Sequence, residues 1–120
     1  ARVSSTVAGL GAGGAVRRPG ASDLPARSRE EIEMVFDRNK GAIYALYNRA
    51  LRRDPTLQGK LVLKLTIEPS GAVSFCDVVS SELADDVLLR KLVQRIKLFR
   101  FDAKDVATIT TTKPIDFFPA

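Results

Sequence analysis

The stretch GKLVLKLTIE at residues 59–68 decides the fold, because it places a large aliphatic side chain at every second position. These aliphatic residues fall on odd numbers from Leu61 to Ile67. Lys64, Thr66 and Glu68 take even numbers. A period of two is typical of a β-strand with one face buried and the other in water. The sequence therefore predicts a strand whose aliphatic face the rest of the chain must cover.

The residues after this strand predict a hairpin. Pro69 suits the first position of a tight turn, and Gly71 suits a following position where φ is positive. In the stretch that follows the turn, AVSFCDVVS at residues 72–80, the large apolar residues fall first on odd and then on even numbers. Val73 and Cys76 can share the buried face only if one extra residue is accommodated between them. We therefore expect a β-bulge near residues 74–75.

The composition is that of one small globular domain. The chain has 120 residues, of which 45% are hydrophobic and 28% are charged. Its net charge of +5 permits binding to acidic partners without requiring it. One cysteine allows no internal disulfide. Because no apolar run is long enough to cross a bilayer and no signal-peptide pattern opens the chain, we expect any membrane anchor to lie outside it.

The first residues differ in composition from the rest. Residues 1–27 are rich in Gly, Ala and Ser and poor in large apolar side chains, so they bury too little surface to offset their ordering entropy. The glycine run at residues 9–14 has neither a preceding strand nor an immediately following helix, which argues against a nucleotide-binding loop. We predict a flexible linker over residues 1–27 and a folded domain over residues 28–120.

Two helices are predicted from their caps and apolar stripes. Ser28 and Glu31 form a capping box at the start of the first helix, which we expect to continue to about residue 54. Gly41 lies within this helix, where it marks either a kink or a close approach to another element. Asp85 and Asp86 offer the cap of a second helix, and two phenylalanines at positions 99 and 101 then anchor the chain in the core.

The last predicted strand, residues 106–118, completes the fold. Pro114 cannot donate a hydrogen bond to a neighbour, so this strand must lie at a sheet edge with the proline nitrogen facing outward. The order helix, strand, strand, helix, strand predicts an α+β fold. Because a right-handed crossover brings the last strand beside the first, we expect a three-stranded antiparallel or mixed sheet of order 2-1-3, with two helices on one face.

The chain offers little for catalysis. It has no histidine, and Cys76 has inward parity and no histidine partner, so it suits a buried hydrophobic role. Capping explains Asp85 and Asp86. We therefore predict no catalytic residue, no metal site and no cofactor, and that the protein is not an enzyme. Basic residues at 49–53 and 90–97 leave nucleic-acid binding as a less favoured alternative, because no exposed aromatic strand accompanies them.

An ordered set of motifs resembles a known family. The chain carries P-x-L-x-G at residues 55–59, I-x-P-x-G-x-V at 67–73, VVS at 78–80, FRF at 99–101 and PIDF at 114–117. Over about residues 28–119 this set resembles the C-terminal domain of TonB proteins, most closely the AgmX/PglI branch. Phe99 stands where TonB proteins usually have tryptophan, and the first predicted helix is longer than theirs.

The resemblance implies a function in the cell envelope. It implies a periplasmic domain tied by its linker to an inner-membrane helix, which an ExbB/ExbD-like motor drives. It also implies a partner, namely a short extended peptide of an outer-membrane receptor that is added to the edge of the sheet. For the AgmX/PglI branch, the implied partner is a gliding-type motility or envelope complex instead.

The last strand is the predicted binding edge. If the nitrogen of Pro114 faces outward, residues of the same parity present their backbone groups to an incoming strand. These candidate partner-binding residues are Thr108, Thr110, Thr112 and Asp116. We expect a partner peptide to pair mainly with residues 108–112, because Pro114 removes one donor beyond them. The same edge offers a route to a homodimer.

Overall fold

The computed structural model describes residues 15–17 and 24–119. Its elements in chain order are β1 (Ala15–Arg17), α1 (Arg29–Arg38), α2 (Lys40–Leu51), β2 (Gly59–Ile67), β3 (Val73–Ser81), α3 (Asp86–Ile96) and β4 (Ile109–Phe117). The strands form an antiparallel sheet of order β1-β4-β2-β3. The predicted α+β fold is confirmed, with the last strand beside the first strand of the hairpin, and the short β1 extends the predicted three strands.

Strand β2 lies at the centre of the molecule, as its alternation predicts. Its four aliphatic residues on odd numbers are completely buried, and the helices cover this face of the sheet. On the opposite face, Lys64 is exposed. Burying aliphatic side chains of this size stabilises the fold by roughly 1.5–3 kcal/mol each. The core is therefore built on one face of β2.

The hairpin between β2 and β3 has the predicted turn. Gly71 adopts a φ of 95°, and the backbone N–H of Glu68 donates to the carbonyl of Ala72 over 2.9 Å. Thr66 pairs with Phe75 while its neighbour Ile67 pairs with Val73, so one extra residue lies between them, as predicted. A second register shift, between residues 62 and 63 of β2, was not expected.

The predicted first helix is divided into two helices, α1 and α2, so the prediction of one continuous helix is wrong. The break falls at Asn39, with φ −102° and ψ 8°, two residues before Gly41. The side-chain amide of Asn39 donates to the carbonyl of Val35 over 2.7 Å. The backbone N–H of Asn39 donates to the same carbonyl over 3.2 Å, and the N–H of Ile43 donates to the carbonyl of Asn39, so helical hydrogen bonds continue on both sides of the break. Residues 24–119 therefore form three helices instead of the two predicted.

The residues just before α1 are part of the folded unit. Arg27 is 2% exposed, and its guanidinium pairs with Glu31 and donates to the carbonyls of Glu68 and Pro69. The carbonyl of Pro25 accepts from a backbone N–H of the segment before β4. The sequence predicts that residues 24–27 and β1 belong to the linker, but both segments contact the domain. The remainder of the predicted linker, residues 1–14 and 18–23, lies outside the described residues.

The predicted cap of the last helix is confirmed. The carboxylate of Asp85 accepts a hydrogen bond from the backbone N–H of Leu88 over 3.0 Å. That bond, with help from Arg53, lowers the pKa of Asp85 below its usual value. Phe99 then packs edge-on against Phe36, with ring centroids 5.2 Å apart. Within the described part of the chain, no helix has the length and apolarity needed to cross a membrane.

Candidate functional site at the edge of the sheet

Strand β4 has one fully paired side and one partly paired side. Toward β2, its residues are paired along the whole strand, from Ile109 opposite Ile67 to Phe117 opposite Gly59. On its other side, the pairing with β1 covers only residues 109–111. Along residues 112–117, no described strand lies beside β4 on the side that faces away from β2. This stretch is therefore a sheet edge within the part of the chain that the structure describes.

The edge already holds one short antiparallel segment. Ala15 lies opposite Thr111, Val16 opposite Thr110, and Arg17 opposite Ile109. Antiparallel partners exchange backbone hydrogen bonds at alternate positions, so pairing of this kind uses main-chain groups and not side-chain identity. The side of β4 that faces away from β2 therefore accepts an extended segment of chain at residues 109–111.

The four residues predicted for this edge follow the strand and do not converge. Thr108 precedes β4, and its hydroxyl donates to a carboxylate oxygen of Glu68 over 2.9 Å. The hydroxyls of Thr110 and Thr66 lie 2.9 Å apart. Thr112 and Asp116 are exposed. At about 3.3 Å per residue, the set from Thr108 to Asp116 spans roughly 26 Å, the reach of a strand and not of a pocket.

Tyr44 packs against the C-terminal end of β4. It lies half-buried on α2, one helical turn before Tyr47, and its hydroxyl donates to the carbonyl of Asp116 over 2.9 Å. Its ring packs against Phe117 with centroids 5.4 Å apart. The spacing of the two tyrosines predicts core and rim packing, which the structure shows. The hydrogen bond to Asp116 could not be read from the sequence, because it joins elements that are far apart in the chain.

Lys113 links the middle of β4 to α1 through an ion pair. Its ammonium lies 2.6 Å from a carboxylate oxygen of Glu33 and 5.5 Å from the centre of the Phe36 ring. The Lys113 side chain is only 16% exposed, so its methylene groups pack on apolar surface while the charge is paired. The sequence does not indicate this role of Lys113, since nothing in the threonine-rich strand distinguishes a lysine that folds back onto a helix.

A groove lies between these two contacts. It encloses about 180 Å³ where the junction of α1 and α2 meets the second half of β4. Its lining residues are Phe36, Asp37, Lys40, Ile43, Tyr44, Lys113, Pro114, Ile115 and Asp116. This volume is below the roughly 300–1,000 Å³ that is usual for small-molecule sites. The groove is therefore of a size suited to side chains.

Cys76 and the acidic side chains of the described residues were compared with the needs of a nucleophile and of a metal site. Cys76 is 4% exposed, and its burial raises the pKa of the thiol to about 11. A thiol with this pKa is a poor nucleophile at neutral pH, so its predicted buried position is confirmed. Across residues 15–17 and 24–119, no group of three or more His, Cys, Asp or Glu side chains is placed to hold a metal ion.

Comparison with solved structures gives one informative likeness. The NMR solution structure of the Helicobacter pylori TonB C-terminal domain, residues 179–285, matches with a TM-score of 0.52. The two chains are 24% identical, and the match covers 80% of this chain and 87% of that one. No protein-family model and no curated protein matches the sequence. The chain therefore has a fold like that of a TonB C-terminal domain.

Proposed function

We propose that this chain is a periplasmic, TonB-like interaction domain that binds an extended peptide of an outer-membrane protein by strand addition at β4. The candidate residues are Thr108, Thr110, Thr112 and Asp116, which act through their backbone groups. Backbone pairing supplies the affinity, and side chains beside the edge supply selectivity. In this proposal the domain transmits force or holds partners together, and it catalyses no reaction.

One observation carries the proposal, namely the pairing of β1 with residues 109–111 of β4. It is an intramolecular example of the contact that a partner would make. A partner strand that reaches the same stretch must take the place of β1, because one side of a strand accepts one neighbour. The unpaired remainder of the edge, residues 112–117, gives such a partner a longer line of contact than β1 uses.

The same proposal extends to the setting of the domain. Residues upstream of the folded unit act as a tether to an inner-membrane anchor, which an ExbB/ExbD-like motor drives. If the chain belongs to the AgmX/PglI branch, the partner is a gliding-type motility or envelope complex, and the mode of binding is the same. A purified domain and synthetic peptides from each class of partner distinguish these two settings.

The deciding experiment is a titration of isotope-labelled protein with a peptide from a candidate receptor, followed by amide chemical shifts. Strand addition predicts that the largest changes fall on residues 108–112 and in β1. Changes confined to the exposed basic residues of α2 and α3 would contradict it.

The salt dependence of the affinity distinguishes peptide binding from the alternative, nucleic-acid binding. Affinity for a nucleic acid falls steeply between low and moderate salt, because phosphate contacts release counterions. Main-chain pairing with an uncharged peptide changes little over the same range. The peptide titration is therefore repeated at two salt concentrations, with a short single-stranded oligonucleotide as the competing ligand.

A further inference from the structure

We infer that the groove between the α1–α2 junction and β4 is a subsite for apolar side chains of the added strand. This inference rests on the proposed function, since it names what the partner peptide must carry. The occupant is an extended peptide with apolar side chains at two alternate positions. The groove would then determine which peptides bind, while the backbone of β4 would hold any extended chain.

Two contacts between the helices and β4 bound the groove at its ends. The ion pair between Glu33 and Lys113 joins α1 to β4 on one side, and the hydrogen bond from Tyr44 to the carbonyl of Asp116 joins α2 to β4 on the other. Between them, the residues that line the groove include Phe36 and Ile43, which are 5% and 3% exposed. The groove is therefore preformed and not a gap that a ligand must open.

The alternation of the sheet places ligand side chains over this groove. Thr111 and Phe117 are buried against the helices, so Lys113 and Ile115, which have the same parity, also face the helix side. In a strand added next to β4, the two residues opposite Lys113 and Ile115 point to the same side. They lie two positions apart in the ligand, whichever direction the ligand runs.

β1 pairs with a part of β4 that does not include the residues lining the groove. β1 pairs with residues 109–111, whereas the lining of the groove begins at Lys113. In the antiparallel register of β1, the sequence positions that correspond to Lys113 and Ile115 are Gly13 and Gly11, and glycine has no side chain to offer. A partner with larger residues at the corresponding positions therefore gains contacts that this segment cannot make.

The lining favours apolar ligand side chains over charged ones. The helix side of the rim carries charges of both signs, from Asp37 and Lys40, and the Lys113 ammonium is already paired with Glu33. Because these charges oppose one another, a single charged side chain gains little net attraction there. Apolar side chains of the ligand that pack against the aromatic and aliphatic groups of the lining are removed from water, which favours binding. Leucine, isoleucine and phenylalanine are the expected occupants.

The test compares two acetylated and amidated seven-residue peptides. Both have serine or threonine at the odd positions, and the three even positions are leucine in one peptide and alanine in the other. We expect the leucine peptide to bind at least about tenfold more tightly, since each pocket methylene group contributes to discrimination. Nuclear Overhauser contacts between leucine methyl groups and the rings of Phe36 and Tyr44 identify the subsite directly.

A protein variant checks that the preference comes from the groove. Lys40→Trp places a bulky ring at the exposed rim, and it is expected to reduce the preference for leucine to about threefold or less. Arg49→Trp is the matched control, because nine residues are 2.5 helical turns and place it on the opposite side of α2. This control should retain the full preference. Melting curves of both variants verify that the fold is unchanged.

The outcomes separate this inference from the proposed function. If both peptides shift the amides of β4 with equal affinity, strand addition stands and the subsite is wrong. If neither peptide shifts β4, both the proposed function and the subsite fail. If the leucine peptide is preferred but Lys40→Trp has no effect on the preference, the apolar contact lies elsewhere on the sheet and the subsite is again wrong.

Discussion

Val16 lies opposite Thr110, in an antiparallel pairing between a segment upstream of the folded unit and the strand proposed to bind a partner. The pairing extends over three residues of each strand, so it fixes few backbone bonds. A two-strand contact of this length is weak by itself. Under the proposed function, we therefore expect this contact to compete with a partner strand without preventing its entry.

Replacement of Val16 by proline tests this competition. Proline removes the backbone N–H at the residue opposite Thr110, so β1 loses a donor and pairs less well. We expect Val16→Pro to bind a β4-directed peptide severalfold more tightly in a calorimetric titration, with a nearly unchanged melting temperature. Val16→Thr keeps the N–H and serves as the control. Equal affinities in all three proteins would show that β1 does not compete.

Arg27 is expected to be the residue before α1 that matters most to stability. Its guanidinium is buried, pairs with Glu31 and lies 5.5 Å from the centre of the Phe101 ring. Arg27→Ala should lower the free energy of unfolding by about 3 kcal/mol, because the bonds of a buried charge are lost. Exposed Arg29→Ala should change it by less than about 0.5 kcal/mol. Urea denaturation measures both.

The pH dependence of the Arg27→Ala effect follows from Glu31. Burial raises the pKa of this carboxyl group, but hydrogen bonds and charges from Lys104 and Arg27 outweigh burial, so the pKa is lowered overall. A lowered pKa in the folded state means stabilisation that is present above the unfolded-state pKa and is lost as the pH falls through the folded-state value. The difference between Arg27→Ala and the wild type should therefore shrink in acid. A difference that grows below pH 4 would contradict the assignment.

Two glycines are expected to respond to alanine in opposite directions. Gly71 has a φ of 95°, and a Cβ there would lie 1.9 Å from the carbonyl oxygen of Phe101. Gly71→Ala should therefore destabilise the protein by roughly 3 kcal/mol, from backbone strain and from displacement of that segment. At Gly41 a Cβ meets no atom within 4 Å, so Gly41→Ala should stabilise α2 by about 0.5–1 kcal/mol. Thermal unfolding of the two variants checks the signs.

The parts of the fold that the sequence predicts are those set by local, repeating signals. Alternation in β2 fixes which face is buried, and the short polar side chains of Ser28 and Asp85 mark where α1 and α3 begin. The proline in β4 places this strand next to only one full-length neighbour. Each of these signals acts between residues within a few positions of one another, so the sequence alone carries it.

The parts that could not be predicted depend on contacts between distant residues or on close competition. Arg27 is buried because the carbonyls of Glu68 and Pro69 accept its hydrogen bonds, more than 40 positions away. At the break between α1 and α2, the side chain of Asn39 donates to the carbonyl of Val35, and the continuous apolar stripe of the sequence does not indicate this bond. The groove exists only once the helices are packed beside β4. Its lining residues therefore look like ordinary core and surface positions in the sequence.

Cys76 is expected to be structural and to make stability depend on alkaline pH. Its pKa is raised to about 11 by burial, so the folded state keeps the thiol protonated where the unfolded state ionises. The contribution of the neutral thiol is present below the unfolded-state pKa, near 8.5, and is lost as the pH rises toward 11. Cys76→Ala should abolish this alkaline loss, and Cys76→Ser should destabilise by about 1–3 kcal/mol. Rapid alkylation of the native protein at pH 8 would contradict a buried, protonated thiol.

Proline substitutions at adjacent positions of β4 decide whether the outer side of this strand binds the partner. Successive residues of a strand direct their backbone groups to opposite sides, and Thr110 has the same parity as Pro114, which donates nothing to β2. Thr110→Pro should therefore remove an outward donor, weaken peptide binding about tenfold and leave the fold intact. Ile109→Pro should remove a donor to β2 and unfold the strand. Thr110→Val is the control, because it keeps the N–H and loses only the hydroxyl contact with Thr66. If Thr110→Pro binds the peptide as tightly as Thr110→Val, strand addition at residues 108–112 is wrong.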